Sequence, residues 1–148
     1  MVITLQLPSD LKIIPETSRD IIKKIKSKDI SEDDLFDIRL ALEEALVNAI
    51  KHGNKQDCNK NVLLKITINP GKATMQIKDE GEGFDYEKLV SPAEPKNLKK
   101  PYGRGVFLIK KLMDSVEFFD GGRGIKMVKL IEAAPSTYFS RIKPHKQK

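Results

Sequence analysis

Cysteine and histidine are nearly missing from this chain. Of its 148 residues one is Cys, Cys58, and two are His, His52 and His145. A single thiol excludes an internal disulfide and a thiolate metal cluster. It reads as a stray thiol in a loop, with a reducing, cytoplasmic setting as the default. Two histidines so far apart supply neither a metal site nor a nucleophile–base pair. Apolar runs are short, and none approaches the roughly 20 residues of a membrane-spanning helix. The opening residues, MVITLQLPSDLK, have neither the basic region nor the long apolar segment of a secretory signal. Zinc-ligand spacing, a helix-turn-helix pattern and an aromatic RNA platform are absent as well. Acid is missing from the last eight residues, which hold Arg141, Lys143, Lys146 and Lys148 and so supply much of the net charge of +6. Such an end is a solvated tail more often than a nucleic-acid arm, so neither membrane nor nucleic acid is expected as a partner.

What the chain does hold is an ordinary globular balance. Hydrophobic residues make up 39% and charged residues 32%. That suits one domain with a single core, here placed at residues 1–134 and followed by a basic tail at 135–148.

Residues 40–53, LALEEALVNAIKHG, organise the rest. They read as a helix carrying an acid and an amide one turn apart, Glu44 and Asn48. Asn is a poor helix former, so its place mid-helix asks for a reason. Residues four apart share a helical face, and Glu44, Asn48 and Lys51 form one polar ridge. Leu35, Ile38, Leu42, Ala45, Leu46 and Ala49 form the apolar stripe roughly opposite. A solvated outer face would look the same. Leu40 and Val47 flank the ridge, however, and predict that something covers it.

Before this helix, residues 2–7 alternate as a half-buried strand. A first helix follows at 17–28, with Pro15 just before it. Arg19 near its start is opposed by the helix dipole and is either a surface residue or a partner contact. Ser31 and Asp34 make a capping-box-like start to the second helix. Gly53 fits a left-handed position after its end, and His52 lies in the last turn, where the dipole suits a cation.

Residues 62–68 and 73–78 read as a hairpin turned at Asn69-Pro70-Gly71-Lys72. It leads into DEGEGFD at 79–85. Gly81 and Gly83 beside Asp79 let a backbone turn sharply and approach a ligand closely, though a plain loop would serve the same pattern. Residues 86–101 hold Pro92, Pro95 and Pro101 with Lys96, Lys99 and Lys100. They are too broken for regular structure and too long for a simple connection, which predicts a lid. Gly103-Arg104-Gly105 precedes a helix at 106–114. Glycines opening a helix supply free amides and the positive dipole end, both suited to phosphate; a hinge is the plainer alternative. Residues 116–119 and 125–131 close the chain as a hairpin turned at Gly121-Gly122.

In this order, EEALVNAIKHG, DEGEGFD and GRGVFLIKKLMD resemble the GHKL (Bergerat-type) ATP-binding superfamily. Within it the chain most resembles the small anti-sigma-factor serine-protein kinases of bacterial partner-switching systems, over residues 3 to 131. The resemblance implies a two-layer α/β (α+β) sandwich, with a mixed, mostly antiparallel sheet and helices on one face. It implies ATP and Mg²⁺ as cofactors. Glu44 would be the catalytic base or orienter of the attacking hydroxyl, and Asn48 would bind Mg²⁺. Asp79 would accept from the adenine amino group, with Gly81 and Gly83 closing on the base. Gly103, Arg104 and Gly105 would wrap the phosphates, with Lys51 as an extra phosphate contact. Arg19 would touch a protein partner. The family's last strand often begins Gly-Thr, the Thr hydroxyl supporting the adenine-binding Asp; here Gly124 is followed by Ile125 and Lys126.

The implied activity is phosphorylation of a small anti-sigma-factor antagonist, together with sequestration of a sigma factor, by a cytoplasmic homodimer. The alternative is a non-catalytic ATP/ADP-sensing module that holds a partner. Glu44 favours the kinase, because nucleotide binding alone needs no base there. A detached sensor-kinase domain is a third reading, and it lacks the helix pair bearing a phosphoacceptor His.

Overall fold

A computed structural model describes residues 1–26, 28, 30–88 and 101–131. Three helices, α1 (Ile14–Lys26), α2 (Glu32–Val47) and α3 (Pro101–Leu112), accompany five strands. The strands are β1 (Val2–Pro8), β2 (Asn61–Asn69), β3 (Lys72–Lys78), β4 (Ser115–Phe119) and β5 (Gly124–Leu130). They form one sheet in the order β1-β2-β3-β5-β4. All four pairings are antiparallel, in line with the mostly antiparallel sheet that the resemblance implies, and its mixed part does not occur among the described strands. The chain crosses from β3 through α3 to β4, but β5 takes the place beside β3 and runs against it, so no parallel pair arises among the described strands.

Strand alternation sends one apolar set inward. The register lines up Leu5, Leu64, Ile77, Ile125 and Phe118 as one row across all five strands. Ile3, Ile66, Met75, Met127 and Val116 form the next. On the other side of the sheet Thr4, Lys65, Gln76, Lys126 and Glu117 make a polar row. A slip of one residue would exchange these faces, so the pattern itself fixes the register.

The helices cover the apolar face. Ser31 caps α2, its hydroxyl accepting from the Asp34 amide at 3.1 Å, and Glu32, Asp33 and Asp34 suit the positive end of the dipole. Leu35, Ile38, Leu42, Ala45, Leu46 and Ala49 are all buried, as expected of that stripe. Each fully buried Leu or Ile stabilises by about 1.5–3 kcal/mol. Half-exposed i,i+4 pairs such as Arg39–Glu43 contribute only about 0.3–0.5 kcal/mol. The stripe therefore sets where α2 lies. α1 starts at Ile14, three residues before the expected 17, with Pro15 in its first turn. It buries Ile14, Ile21 and Ile25.

Lys129 joins the layers. Its Nζ donates to the Asp37 carboxylate at 2.9 Å and to the Leu112 carbonyl at 2.7 Å, so β5 holds α2 and the end of α3 together. Among the described residues no helix is long and apolar enough to cross a membrane. The expected tail at 135–148, and all of the expected lid except 86–88 and Pro101, lie outside the described residues.

Candidate functional site

A pocket opens where α2 passes the end of the sheet. Ala45, Asn48 and Ala49 of α2 form one wall. Ile77, Asp79, Phe84, Phe118, Arg123 and Ile125 lie around the rest. The two alanines leave room that larger residues of the same stripe would fill. Phe84 meets Phe118 edge-on with ring centroids 5.3 Å apart, which fixes the aromatic wall.

Asp79 is the buried acid of this pocket. It follows β3 directly, and its amide donates to the Arg123 carbonyl at 3.0 Å. Its Oδ1 accepts from the Gly81 amide at 2.8 Å. Burial pushes its proton affinity above the ordinary carboxylate value, opposed by the Gly81 hydrogen bond and the charges of Arg123 and Lys60. One acceptor among aliphatic and aromatic walls suits a flat heterocycle that offers an N–H.

The end of α2 makes that burial possible. Its last turn, Asn48–Gly53, is π-helical, and the Asn54 amide reaches back to the Ala49 carbonyl at 2.8 Å. Such wider turns are frequent at functional sites. Gly53 is not the left-handed cap expected of it; Lys55 and Gln56 take that conformation instead, at φ 53° and 58°. The glycine is needed because a Cβ there would run into the Asp79 carboxylate. Gly81 is needed for a similar reason, since its Cβ would meet the Gly53 carbonyl. Gly83 holds φ at 81°, a conformation open chiefly to glycine.

Asn54, fully buried, locks the assembly. Its Oδ1 accepts from the Glu80 amide at 2.8 Å, and its Nδ2 donates to the Ser9 hydroxyl and the Asn61 carbonyl. Nothing in the local sequence marks Asn54 for this role, nor Arg123, Phe84 and Phe118 for theirs; only their convergence in space does.

The Glu44–Asn48 ridge is covered, as Leu40 and Val47 suggested, and the cover is α3. A Cβ at Gly105 would stand 3.1 Å from the Glu44 Oε1 and from the Asn48 Nδ2, and 3.2 Å from the Asn48 Oδ1. The bare face of Gly105 thus sits over both side chains. Among the described residues neither Glu44 nor Asn48 has a side-chain hydrogen bond or ion pair to another residue, and both are half-buried. Two polar groups held this way are open to a ligand.

One further expectation changes. Gly103, Arg104 and Gly105 do not form a loop ahead of a helix: α3 begins at Pro101, so they lie within its first two turns. Lys51 is exposed, lies in the π-helical turn and is not among the residues that line the pocket. His52 lies in the same turn, where burial first, then the charge of Lys51, lowers its proton affinity. Arg104 and Arg19 are exposed, Arg19 on α1 away from the pocket.

Residues 7–129 match the family described as Histidine kinase-like ATPase domain. The chain belongs to that family. Its five-stranded antiparallel sheet and three helices accord with the Bergerat fold, and the family implies ATP binding. Among curated relatives, Serine-protein kinase RsbW of Staphylococcus epidermidis is 36% identical over 110 residues, 69% of each chain. The protein of the same name from Staphylococcus aureus (strain MSSA476) is 36% identical over 108 residues, 68% of each. A solved structure of the RsbU and RsbW domains of Rv1364c from Mycobacterium tuberculosis superposes with a TM-score of 0.63 at 14% identity. It covers 90% of this chain, which spans about a third (34%) of that one, and at this identity it speaks for the fold alone.

Proposed function

We propose that this chain is an ATP-dependent serine-protein kinase and anti-sigma factor of a partner-switching system. It phosphorylates a small anti-sigma-factor antagonist and sequesters a sigma factor in the cytoplasm, as a homodimer. The observation that carries the reading is the double position of Asn48. Its side chain lines the pocket that ends at Asp79, and it also faces Gly105 together with Glu44. One small molecule can therefore reach from the buried acid to the free carboxylate.

In this reading the adenine lies between the α2 alanines and Phe84, and its amino group donates to Asp79. The triphosphate runs towards the start of α3, where first-turn amides and the helix dipole favour anionic oxygens. Gly103 and Arg104 act from there, with Lys51 as a more distant cation. Asn48 fits Mg²⁺: it offers an uncommitted amide oxygen, and no cluster of three acidic or His ligands occurs among the described residues. An ion held by one protein oxygen keeps waters and phosphate oxygens as its other ligands. When bound, Mg²⁺ would neutralise charge on the phosphates. Glu44 takes the proton of the attacking hydroxyl as its oxygen bonds to the γ-phosphorus and the bond to the ADP oxygen breaks. Arg19 on the outside of α1 is positioned for protein rather than nucleotide.

Transfer of labelled γ-phosphate to a cognate antagonist tests this. We expect Glu44→Gln to bind ATP normally and to transfer at least about a hundredfold more slowly, the usual scale of general-base catalysis. Transfer at the normal rate would remove the base, and an antagonist held without any transfer by the unaltered chain would favour the sensing module.

A further inference from the structure

The Asp79 loop is held by a side chain that the proposed chemistry leaves unused. Arg123 sits between β4 and β5 and touches the loop twice. Its carbonyl accepts from the Asp79 amide at 3.0 Å. Its Nε donates to the Gly81 carbonyl at 2.8 Å. The guanidinium is anchored on its own turn, donating from Nη1 to the Asp120 carbonyl at 3.1 Å, with the Asp120 carboxylate 3.9 Å away. That carboxylate is in turn paired with Lys78 Nζ at 2.9 Å, at the last residue of β3. One residue thus brackets Asp79–Gly81 from outside, while the Gly81 amide reaches the Asp79 carboxylate from inside. A second bond, from the Phe84 amide to the Gly121 carbonyl at 3.0 Å, closes the far end of the same loop on the same turn.

Asn54 holds the Glu80 amide of the same loop, while the Gly81 carbonyl is held by Arg123. Ile125, beside Arg123 in the pocket wall, has no hydroxyl to offer, and its strand partner Ile77 is equally apolar. The Gly81 carbonyl and the Gly81 amide belong to successive peptides that meet at the Gly81 Cα, so holding the carbonyl restrains the residue whose amide orients the Asp79 carboxylate. If Gly81 turns about its Cα bonds, the carboxylate loses that hydrogen bond and its aim.

We infer that Arg123 is a positioning residue for base selection: by holding the Gly81 carbonyl it keeps the Asp79 carboxylate aimed at the exocyclic amino group of the base. This rests on the adenine reading of the pocket. It makes selectivity, rather than phosphate binding, the property that Arg123 controls. A ligand with a keto oxygen in place of the amino group cannot make that hydrogen bond, so it depends less on Arg123.

The experiment compares ADP with IDP, which carries a keto oxygen in place of the amino group and a hydrogen on the neighbouring N1. Affinities are measured by calorimetry for the unaltered chain, Arg123→Ala and Arg123→Lys, with melting temperatures alongside. We expect the unaltered chain to prefer ADP. Arg123→Ala should weaken ADP about tenfold, the scale of one hydrogen bond involving a charged group, and leave IDP within about twofold. Arg123→Lys, with a donor that can reach the same carbonyl, should recover part of the preference. An equal loss for both nucleotides, tracking a lowered melting temperature, would make Arg123 merely structural and overturn the inference. Undiminished preference in Arg123→Ala would overturn it too. A chain that never distinguished ADP from IDP would instead sink the adenine reading beneath it.

Discussion

Asp79 pulls binding and folding in opposite directions. Burial raises its proton affinity above the ordinary 3.8. A group held more tightly protonated in the folded chain contributes stability that is complete below its unfolded value and disappears as pH rises through its folded value. The ionised form of the carboxylate is therefore a burden on the fold, which the Gly81 amide and the charge of Arg123 offset in part. Asparagine carries no charge and can still accept from Gly81. We expect Asp79→Asn to melt at or above the temperature of the unaltered chain at pH 7, and to bind ADP at least about tenfold more weakly. Thermal melting read beside calorimetry separates the two. A variant that melts several degrees lower and binds normally would reverse the assignment.

At the scale of elements, α2 and α3 make the catalytic end of the site together, and Gly105 is where they touch. Within a helix, Ala is favoured over Gly by about 0.5–1 kcal/mol. A Cβ at 105 would also press on Glu44 and Asn48 at 3.1 Å. Gly105→Ala should therefore leave the melting temperature unchanged or raise it, while phosphate transfer falls at least about tenfold. Full transfer from this variant would mean that the two side chains can move aside freely, and that their present position is not the working one.

Much of this was legible in the chain. The buried stripe of α2, the Ser31 cap, both hairpins and the Asp79-x-Gly-x-Gly loop follow from local periodicity and turn chemistry. What was not legible depended on contacts between distant segments. Gly53 looked like a helix stop, yet its lack of a Cβ serves Asp79, 26 residues later. Lys51 fell on the ridge by α-helical spacing, which the π-helical turn breaks, and no local signal announces such a turn. Gly103 and Gly105 read as a loop because glycine disfavours helix; close packing of α3 on α2 overrides that preference. Arg123 carries no local signal, and only its partner, the Gly81 carbonyl 42 residues earlier, marks it.

At the scale of the whole molecule, the pocket exists only when the domain is complete. Its wall draws on α2, on the ends of β3, β4 and β5, and on the loop at Phe84. The helix layer and the sheet are held in register by two apolar rows and by Lys129. A ligand that binds this assembly has no counterpart site in the unfolded chain, so it stabilises the fold by about 2.7 kcal/mol at a hundred times its dissociation constant. In the proposed function α2, the Asp79 loop and the start of α3 converge on one adenine nucleotide. The most direct measurement is calorimetric titration of ATP into the purified chain, with and without Mg²⁺, beside Asn48→Ala. We expect one site per chain, tighter with Mg²⁺, with that dependence lost in the variant. Absence of any saturable binding of ATP at millimolar concentration would contradict it.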